Sequence, residues 1–173
     1  MDRFEAPNEK GQRPIVMKSF FEAKAWCAAK QKRICTEAEW ETSCEQRDFR
    51  PWQYGWKVDK RACNSDKHWK PFDAQALMAG GETASKEVAR LWQGIGSGER
   101  ESCATEDGIY DMMGNVEEWV ASSRRYHKHE GVLMGGFWAK PWTGCRGTND
   151  AHASNFTFYE VGFRCCVDPK EAP

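Results

Sequence analysis

A short amphipathic segment near the start of the chain has the pattern of a helix. Residues 19–22, Ser-Phe-Phe-Glu, place a hydroxyl at the cap position and a carboxylate three residues later, and this capping box opens a helix. The helix is predicted to run to about Lys30, with Phe21, Ala25 and Ala28 on one face. We expect that face to lie against the core.

A second segment carries the same start signal. Residues 36–39, Thr-Glu-Ala-Glu, predict a helix that runs to about Glu45, with Trp40 and Cys44 facing inward. Beyond it the chain is rich in glycine, proline and tryptophan, and strand-like runs such as Gly131–Met134 are brief. The pattern as a whole predicts a loop-rich α+β domain.

Composition limits the size and the partners of this domain. A chain of 173 residues with 40% hydrophobic and 29% charged residues can bury one substantial core, so we predict a single domain over residues 1–173. The formal net charge of -1 gives no general electrostatic reason to bind nucleic acid or an anionic membrane. No apolar run in the sequence approaches the roughly 20 residues that a membrane helix needs. We therefore predict no nucleic-acid partner and no membrane insertion.

Eight cysteines, an even number, favour an oxidising compartment outside the cytoplasm. In a cytosolic protein the same count could indicate zinc, but zinc sites need paired ligands at short spacing such as Cys-x-x-Cys. The closest pair here is the adjacent Cys165 and Cys166, which would chelate poorly. We predict disulfides, and the residues alone leave their connectivity open.

Four sequence blocks carry the most specific information. Residues 108–119 combine a glycine turn, two carboxylates and an amide between apolar anchors, a mixture typical of a loop around a hard cation. Residues 36–41, 134–138 and 161–165 form the other three blocks. In this order, the blocks resemble the formylglycine-generating enzyme family, or sulfatase-modifying-factor family, whose domain is a variant of the C-type lectin fold. The resemblance covers residues 2 to about 166.

The resemblance also frames the less typical parts of the chain. Residues 68–98 fit it least, since Gly80 and Gly81 are followed by a polar, helix-compatible stretch, and we expect an inserted surface excursion there. Residues 2–8 are similar to the first strand of the family domain. The chain opens without the basic head and apolar stretch of a signal peptide, so we expect that any leader has been removed.

A disulfide pattern is implied by the resemblance. Four of the cysteines match the structural cysteines of the family, and the other four are left as two further pairs. The implied bridges are Cys27 to Cys165, Cys44 to Cys145, Cys35 to Cys166 and Cys63 to Cys103.

Catalysis in the resembled enzymes depends on two cysteines just after the Gly-Gly block, which hold copper because thiolates select Cu(I). Here residues 136–145 contain Cys145 alone, and it matches the structural disulfide position. We therefore predict no catalytic residues and no copper. The alternative is an oxidase with an altered site, for which Cys35 or Cys166 would have to be a free thiol.

A second enzymatic branch of the resembled superfamily consists of sulfoxide synthases, which need an iron site made of three histidines. The histidines of this chain are therefore possible ligands of such a site. The chain has His68, His127, His129 and His152. His127 and His129 could share a face and bind a metal if they lay on a strand. We favour a solvated polar loop before the strand that starts at Gly131.

Calcium is predicted as a structural cofactor. The side chains of Asp111 and Glu118, with the backbone carbonyls of Gly114 and Val116, match a calcium site of the family. Calcium prefers such mixed carboxylate and carbonyl oxygens. The alternative is a loop held by its own hydrogen bonds.

A second calcium site of the family would begin at Asn64, with the carbonyl of Ser65. The carboxylate that should follow falls in the divergent excursion, and neither Asp66 nor Asp73 matches it well. Asn64 is therefore a weak candidate.

A ligand surface is predicted beside the position of the missing cysteines. Trp138 and Trp142 lie near Lys140 and Arg146, and aromatic and cationic groups of this kind can bind a glycan, a peptide or a protein. The two tryptophans could equally fill the vacated catalytic groove. Other tryptophans, Trp40 and Trp119 among them, are predicted to be core.

These observations predict a non-catalytic binding or accessory domain outside the cytoplasm, in the periplasm or secreted. Two alternatives stay open: the altered oxidase, and an interaction domain of a larger surface protein.

Overall fold

The computed structural model describes residues 1–140 and 144–168 and has an α+β architecture. The helices are α1 (Phe20–Ala29), α2 (Glu37–Glu45), α3 (Ala74–Met78) and α4 (Gly81–Leu91). The strands are β1 (Arg33–Ile34), β2 (Glu117–Ala121), β3 (Gly131–Met134), β4 (Thr148–Asn149), β5 (Val161–Phe163) and β6 (Cys165–Cys166). Long connections join these short elements, as the sequence predicts. No described helix is long and apolar enough to cross a membrane.

A four-stranded sheet lies at the centre of the fold, in the order β4-β3-β2-β5. Strand β2 pairs antiparallel with β3, where Trp119 faces Leu133, and parallel with β5, where Trp119 faces Phe163. All three of these side chains are fully buried. Strands β1 and β6 form a separate two-stranded antiparallel sheet.

Both predicted capping boxes are present. Ser19 Oγ accepts from Glu22 N at 3.3 Å, and the Glu22 carboxylate accepts from Ser19 N at 2.9 Å. Thr36 and Glu39 make the same reciprocal pair, at 3.2 and 2.8 Å. These bonds satisfy N–H groups that would otherwise be orphaned at each helix start. Helix α2 also buries Trp40 and Cys44, as predicted.

The predicted inner face of α1 is wrong. Phe21 is 49% exposed, and Ala25 and Ala28 also face solvent. The buried residues are Phe20, Ala23 and Cys27. The disulfide from Cys27 fixes which face turns inward, and positions four and seven residues before a buried residue share its side of a helix.

All eight cysteines form the four predicted disulfides. The adjacent Cys165 and Cys166 bond to Cys27 in α1 and to Cys35 after β1. The remaining bridges hold α2 to the segment before β4 and close the loops around the excursion, through Cys44–Cys145 and Cys63–Cys103. Neither Cys35 nor Cys166 is a free thiol, so the altered oxidase lacks its required nucleophile.

Residues 2–8 do not form the predicted first strand. Asp2 N donates to Cys165 O at 2.8 Å and Ala6 N donates to Phe163 O at 2.9 Å, so the segment follows the last strands. Turns interrupt it, and Asn8 takes a left-handed φ of 69°. A strand cannot continue through that conformation.

The excursion at residues 68–98 contains α3 and α4, and it is more than a surface addition. Leu91 is fully buried, in a cluster with Val116, Trp138 and Tyr159. The excursion therefore covers part of the core and walls the region beside the sheet.

Candidate functional site

The predicted calcium ligands lie in a tight loop at residues 111–116 and, for Glu118, in strand β2 directly after it. Asp111, Gly114 and Asn115 have φ values of 56°, 75° and 54°. Aspartate, glycine and asparagine are the residues that tolerate this left-handed region best. A Cβ on Gly135 would lie 2.4 Å from Met112 O. Gly135, the first residue of the Gly-Gly block, is therefore glycine because it packs directly on this loop.

The Glu118 side chain lies where several of the sequence blocks meet and is almost fully buried. Arg164 donates to both of its oxygens, from Nε at 2.7 Å and from Nη2 at 2.5 Å. Trp40 Nε1 donates to Oε2 at 2.8 Å. Three of the four sequence blocks therefore meet at this one carboxylate.

Asp111 partly fits a cation. Its Oδ2 accepts from Gly98 N at 2.6 Å, while its buried Oδ1 has no hydrogen-bond partner in the described chain. Burial raises the pKa of Asp111 to about 6, and the neighbouring Glu118 charge adds to the shift, against the lowering effects of Gly98 N–H and Arg164. Carboxylate and carbonyl oxygens suit calcium, and the Glu118 oxygens keep acceptor capacity beyond their present donors. Calcium at this loop stays a prediction.

The fold brings Asn64 to the same loop. Its Nδ2 donates to Asn115 Oδ1 at 3.2 Å, and its carbonyl accepts from Asn115 N at 2.8 Å. Its Oδ1 is buried and has no partner within the described residues. Asp66 pairs with Lys67 and Arg100, and Asp73 caps α3. Each of these carboxylates therefore already has partners of its own.

The predicted ligand surface does not assemble as expected. Only 1% of Trp138 is exposed. Its ring meets the Trp92 ring in a T-shaped arrangement, with the two ring centroids 4.9 Å apart. Trp138 is therefore part of the core and cannot serve as an exposed platform. Arg146 pairs with Glu45 across a different surface. Trp142 lies outside the described residues.

Lys140 lies at one wall of an open cleft of about 620 Å³, which we call the aromatic cleft. Its walls come from the start of the excursion, from the segment after the Gly-Gly block and from the segment before β5. The aromatic residues are Trp69, Phe72, Phe137, Phe156 and Phe158, and the polar ones are Glu117, Lys140, Asn149, His152 and Glu160. The rings of Phe72 and Phe158 meet edge to face, with their centroids 5.0 Å apart. This contact joins the wall from the excursion to the wall from the segment before β5.

Two buried carboxylates line the aromatic cleft, and the sequence analysis did not identify either. Glu117 accepts from Lys140 Nζ at 3.3 Å and from Asn149 Nδ2 at 3.4 Å. Glu160 is 8% exposed, and its Oε2 has no partner among the described residues. Glu117 N, at the start of β2, donates to Glu160 O at 2.9 Å, and Glu160 directly precedes β5.

Burial also shifts the titration of these two groups. It raises the pKa of Glu160 to about 8, with the nearby Glu117 charge contributing. Burial likewise raises the pKa of Glu117, against the lowering effect of Lys140. The raised pKa of Glu160 therefore favours its protonated form near neutral pH.

The prediction of a solvated loop is wrong for His127. Its side chain is only 3% exposed and lies between two carboxylates. Nε2 is 3.1 Å from Glu37 Oε1, and Nδ1 is 3.1 Å from Asp150 Oδ2. Glu37 also accepts from Thr148 Oγ1 at 3.0 Å. Within residues 1–140 and 144–168, no group of three or more His, Cys, Asp or Glu residues is arranged to hold a metal.

Comparison with solved structures shows the same fold in two proteins. CarF superposes with a TM-score of 0.57 at 15% identity, over 88% of this chain and 66% of that one. PvdO from Pseudomonas aeruginosa superposes with a TM-score of 0.59 at 19% identity, over 90% of this chain and 62% of that one. These matches confirm the α+β architecture.

Comparison by sequence reaches the family itself. The chain is 28% identical over 177 residues to the "Inactive C-alpha-formylglycine-generating enzyme 2" of Bos taurus, and 28% identical over 178 residues to the Mus musculus protein of that name. The matches cover 95% and 94% of this chain but 54% and 53% of those proteins, so it spans about half their length. Residues 2–169 match the model of the sulfatase-modifying factor enzyme 1-like domain. The chain belongs to this FGE-sulfatase family.

Proposed function

We propose that this chain is a non-catalytic, ligand-binding domain of the FGE-sulfatase family that works in an oxidising compartment outside the cytoplasm. The observation that carries the proposal is that all eight cysteines are in disulfides. Four bridges in one small domain are typical of proteins that fold outside a reducing cytosol. The names of the two mammalian relatives, which call them inactive, also support it.

The chemistry follows from the state of sulfur. The thiolate, not the disulfide, is the form that attacks a substrate or holds Cu(I). Cys145, the one cysteine within residues 136–145, is bonded to Cys44. Trp138 is a buried core residue, packed in a cluster with Leu91 and Tyr159. A copper-dependent oxidation therefore has no ligand pair here.

The aromatic cleft is the surface we propose for a peptide, glycan or protein ligand. Binding sites are typically concave and apolar, with a few polar groups that orient the ligand. This cleft has five aromatic residues on its walls and buried acidic groups beneath them. We also propose that calcium, held by Asp111, Glu118 and the carbonyls of Gly114 and Val116, would rigidify the neighbouring loop.

An array of peptides and glycans tests the binding proposal. The wild-type protein should retain ligands that Trp69→Ala loses, because Trp69 is 55% exposed at the cleft. Trp56→Ala is the matched control, since Trp56 is 63% exposed and lies on a different surface. Ligands that bind both variants equally well would place the binding site elsewhere.

A turnover assay tests the catalytic half of the proposal. The protein, loaded with copper, should not convert a sulfatase-type peptide that contains Cys-x-Pro-x-Arg. Formation of formylglycine in that peptide, detected by mass, would overturn the non-catalytic assignment.

A further inference from the structure

The unpartnered oxygen of Glu160 is the feature of the aromatic cleft that most needs a ligand. A buried polar atom without a hydrogen bond costs free energy, and a charged oxygen costs more. Glu160 Oε2 is buried and has no hydrogen-bond partner among the described residues. A ligand that donates a hydrogen bond or brings positive charge would remove this cost.

The walls around Glu160 favour the same kind of ligand. Trp69 and Phe72 are partly exposed at the cleft, at 55% and 40%, and Phe158 lies behind them. The faces of aromatic rings carry negative charge density and attract cations, most strongly where water is excluded. Carboxylates below and rings at the sides would surround a cation on several sides.

Charge in the cleft points in the same direction. Glu117 and Glu160 line the cleft as two acids, and Lys140 lies on Glu117 at 3.3 Å. When Glu160 loses its proton, the two carboxylates carry two negative charges and Lys140 carries one positive charge. The three groups together then have a net charge of about -1. An anionic ligand would meet that charge, whereas a cation would neutralise it.

We infer that the aromatic cleft binds an organic ammonium group, such as the side chain of lysine or of an N-methylated lysine, with the Glu160 carboxylate as its counter-charge. This inference rests on the proposed ligand-binding function. A bare metal ion fits less well, because the described residues offer no group of three or more acidic, histidine or cysteine ligands. A primary or methylated ammonium needs only one nearby carboxylate charge and aromatic faces.

Binding is coupled to proton release in this arrangement. Glu160 has a pKa of about 8 without ligand, so it is mostly protonated at neutral pH. A cation stabilises the ionised form, and the proton must leave as the cation enters. The groups that face Glu160 are Tyr159, Glu117 and Lys140, and His152 lines the same cleft. Affinity should therefore rise as the pH increases through about 8.

Three blocked amino acids test the inference: Nα-acetyl-lysine amide, its Nε-trimethyl form and its Nε-acetyl form. Calorimetry should detect binding of the two cationic probes, with the neutral Nε-acetyl probe weaker by about tenfold or more. Calorimetry in two buffers of different ionisation enthalpy should also show proton release from the wild-type protein. This second measurement needs no variant.

Glu160→Gln tests the counter-charge directly. It should weaken the cationic probes by about tenfold and abolish proton release, while the exposed Glu82→Gln should leave both unchanged. Equal binding of charged and neutral probes, or cation binding without proton release, would overturn the inference. Ligands that occupy the cleft in the array while both cationic probes fail would overturn it and leave the ligand-binding proposal intact. Failure of every ligand at the cleft would remove both.

Discussion

Arg164 donates to both oxygens of Glu118 while both side chains lie out of contact with solvent. The guanidinium also donates to the carbonyl of Tyr110 at 2.9 Å. Charged groups are rarely buried unless they are paired and hydrogen-bonded in this way. The pair thus fastens β2, the segment before β6 and the loop at residues 108–111 to one another.

Breaking this pair should destabilise the domain strongly. Glu118→Gln leaves the guanidinium buried without its counter-charge, and we expect a loss of about 3–5 kcal/mol in the free energy of unfolding. Urea denaturation measures the change. Lys86→Ala is the control, since its exposed pair with Glu82 should contribute about 0–1 kcal/mol. Equal losses in the two variants would contradict the central role of Arg164.

Thiol counting tests the disulfide framework. Alkylation of the native protein without reductant should add no mass, because all eight cysteines are bonded. Replacing both Cys63 and Cys103 by serine should lower stability by about 3–4 kcal/mol in the chain-entropy model, for a sequence separation of 40 residues. Two or more alkylated cysteines in the native protein would return the oxidase to consideration.

Stability should fall as the pH rises from about 5 to 8. The pKa of Glu160 is about 8 in the folded protein, against 4.5 for an ordinary glutamate, so between these values the folded state holds the extra proton. The contribution of Glu160 to the free energy of unfolding is fully present below about pH 4.5 and is lost as the pH rises to about 8. Over this range the free energy of unfolding should fall by up to about 1.4 kcal/mol per pH unit. Glu160→Gln should flatten this slope in melting curves. A wild-type protein whose stability rises over this range would contradict the assignment.

Calcium should raise the melting temperature, since an ion that binds only the folded state stabilises it. Each variant is compared with its own calcium-free melting temperature. The rise should disappear in Asp111→Ala, which removes the unpartnered oxygen, and persist in Asp66→Ala, whose carboxylate pairs with Lys67. No rise in the wild-type protein would mean that hydrogen bonds alone hold the loop.

Two tryptophan variants separate packing from binding. Trp138→Ala should cost about 3–5 kcal/mol of stability, because its ring is buried against Trp92 and Tyr159. Trp69→Ala should cost little stability, because Trp69 is 55% exposed, and should act on binding at the cleft. Denaturation curves of the two proteins provide the comparison.

Local signals in the sequence were reliable where local physics decides the structure. The capping boxes at Ser19 and Thr36 predicted both helix starts, because cap hydrogen bonds form within a few residues. The inner face of α1 was predicted wrongly, since Phe20 and Phe21 are equally apolar. Cys27 was the usable signal, because Ala23 and Phe20 precede it by four and seven residues.

Signals for the site were weaker because they depend on contacts between distant segments. The resemblance supplied the disulfide pairs and the loop at residues 111–118, but not the position of the Trp138 ring. Glu117 and Glu160 look like ordinary polar residues beside short strands. Their burial arises from walls contributed by the excursion and by the segment around Phe158.

The bridge between Cys63 and Cys103 encloses the entire excursion at residues 68–98. The other three bridges also join residues before this stretch to residues after it, so a protease that cuts within it would yield two polypeptides that stay covalently joined. The sheet and the other three bridges would keep their connections, so a nicked molecule should migrate as one species until it is reduced. A longer or shorter excursion would likewise stay inside the loop closed by Cys63 and Cys103. The excursion could therefore change the walls of the aromatic cleft while the other three bridges keep the rest of the domain closed.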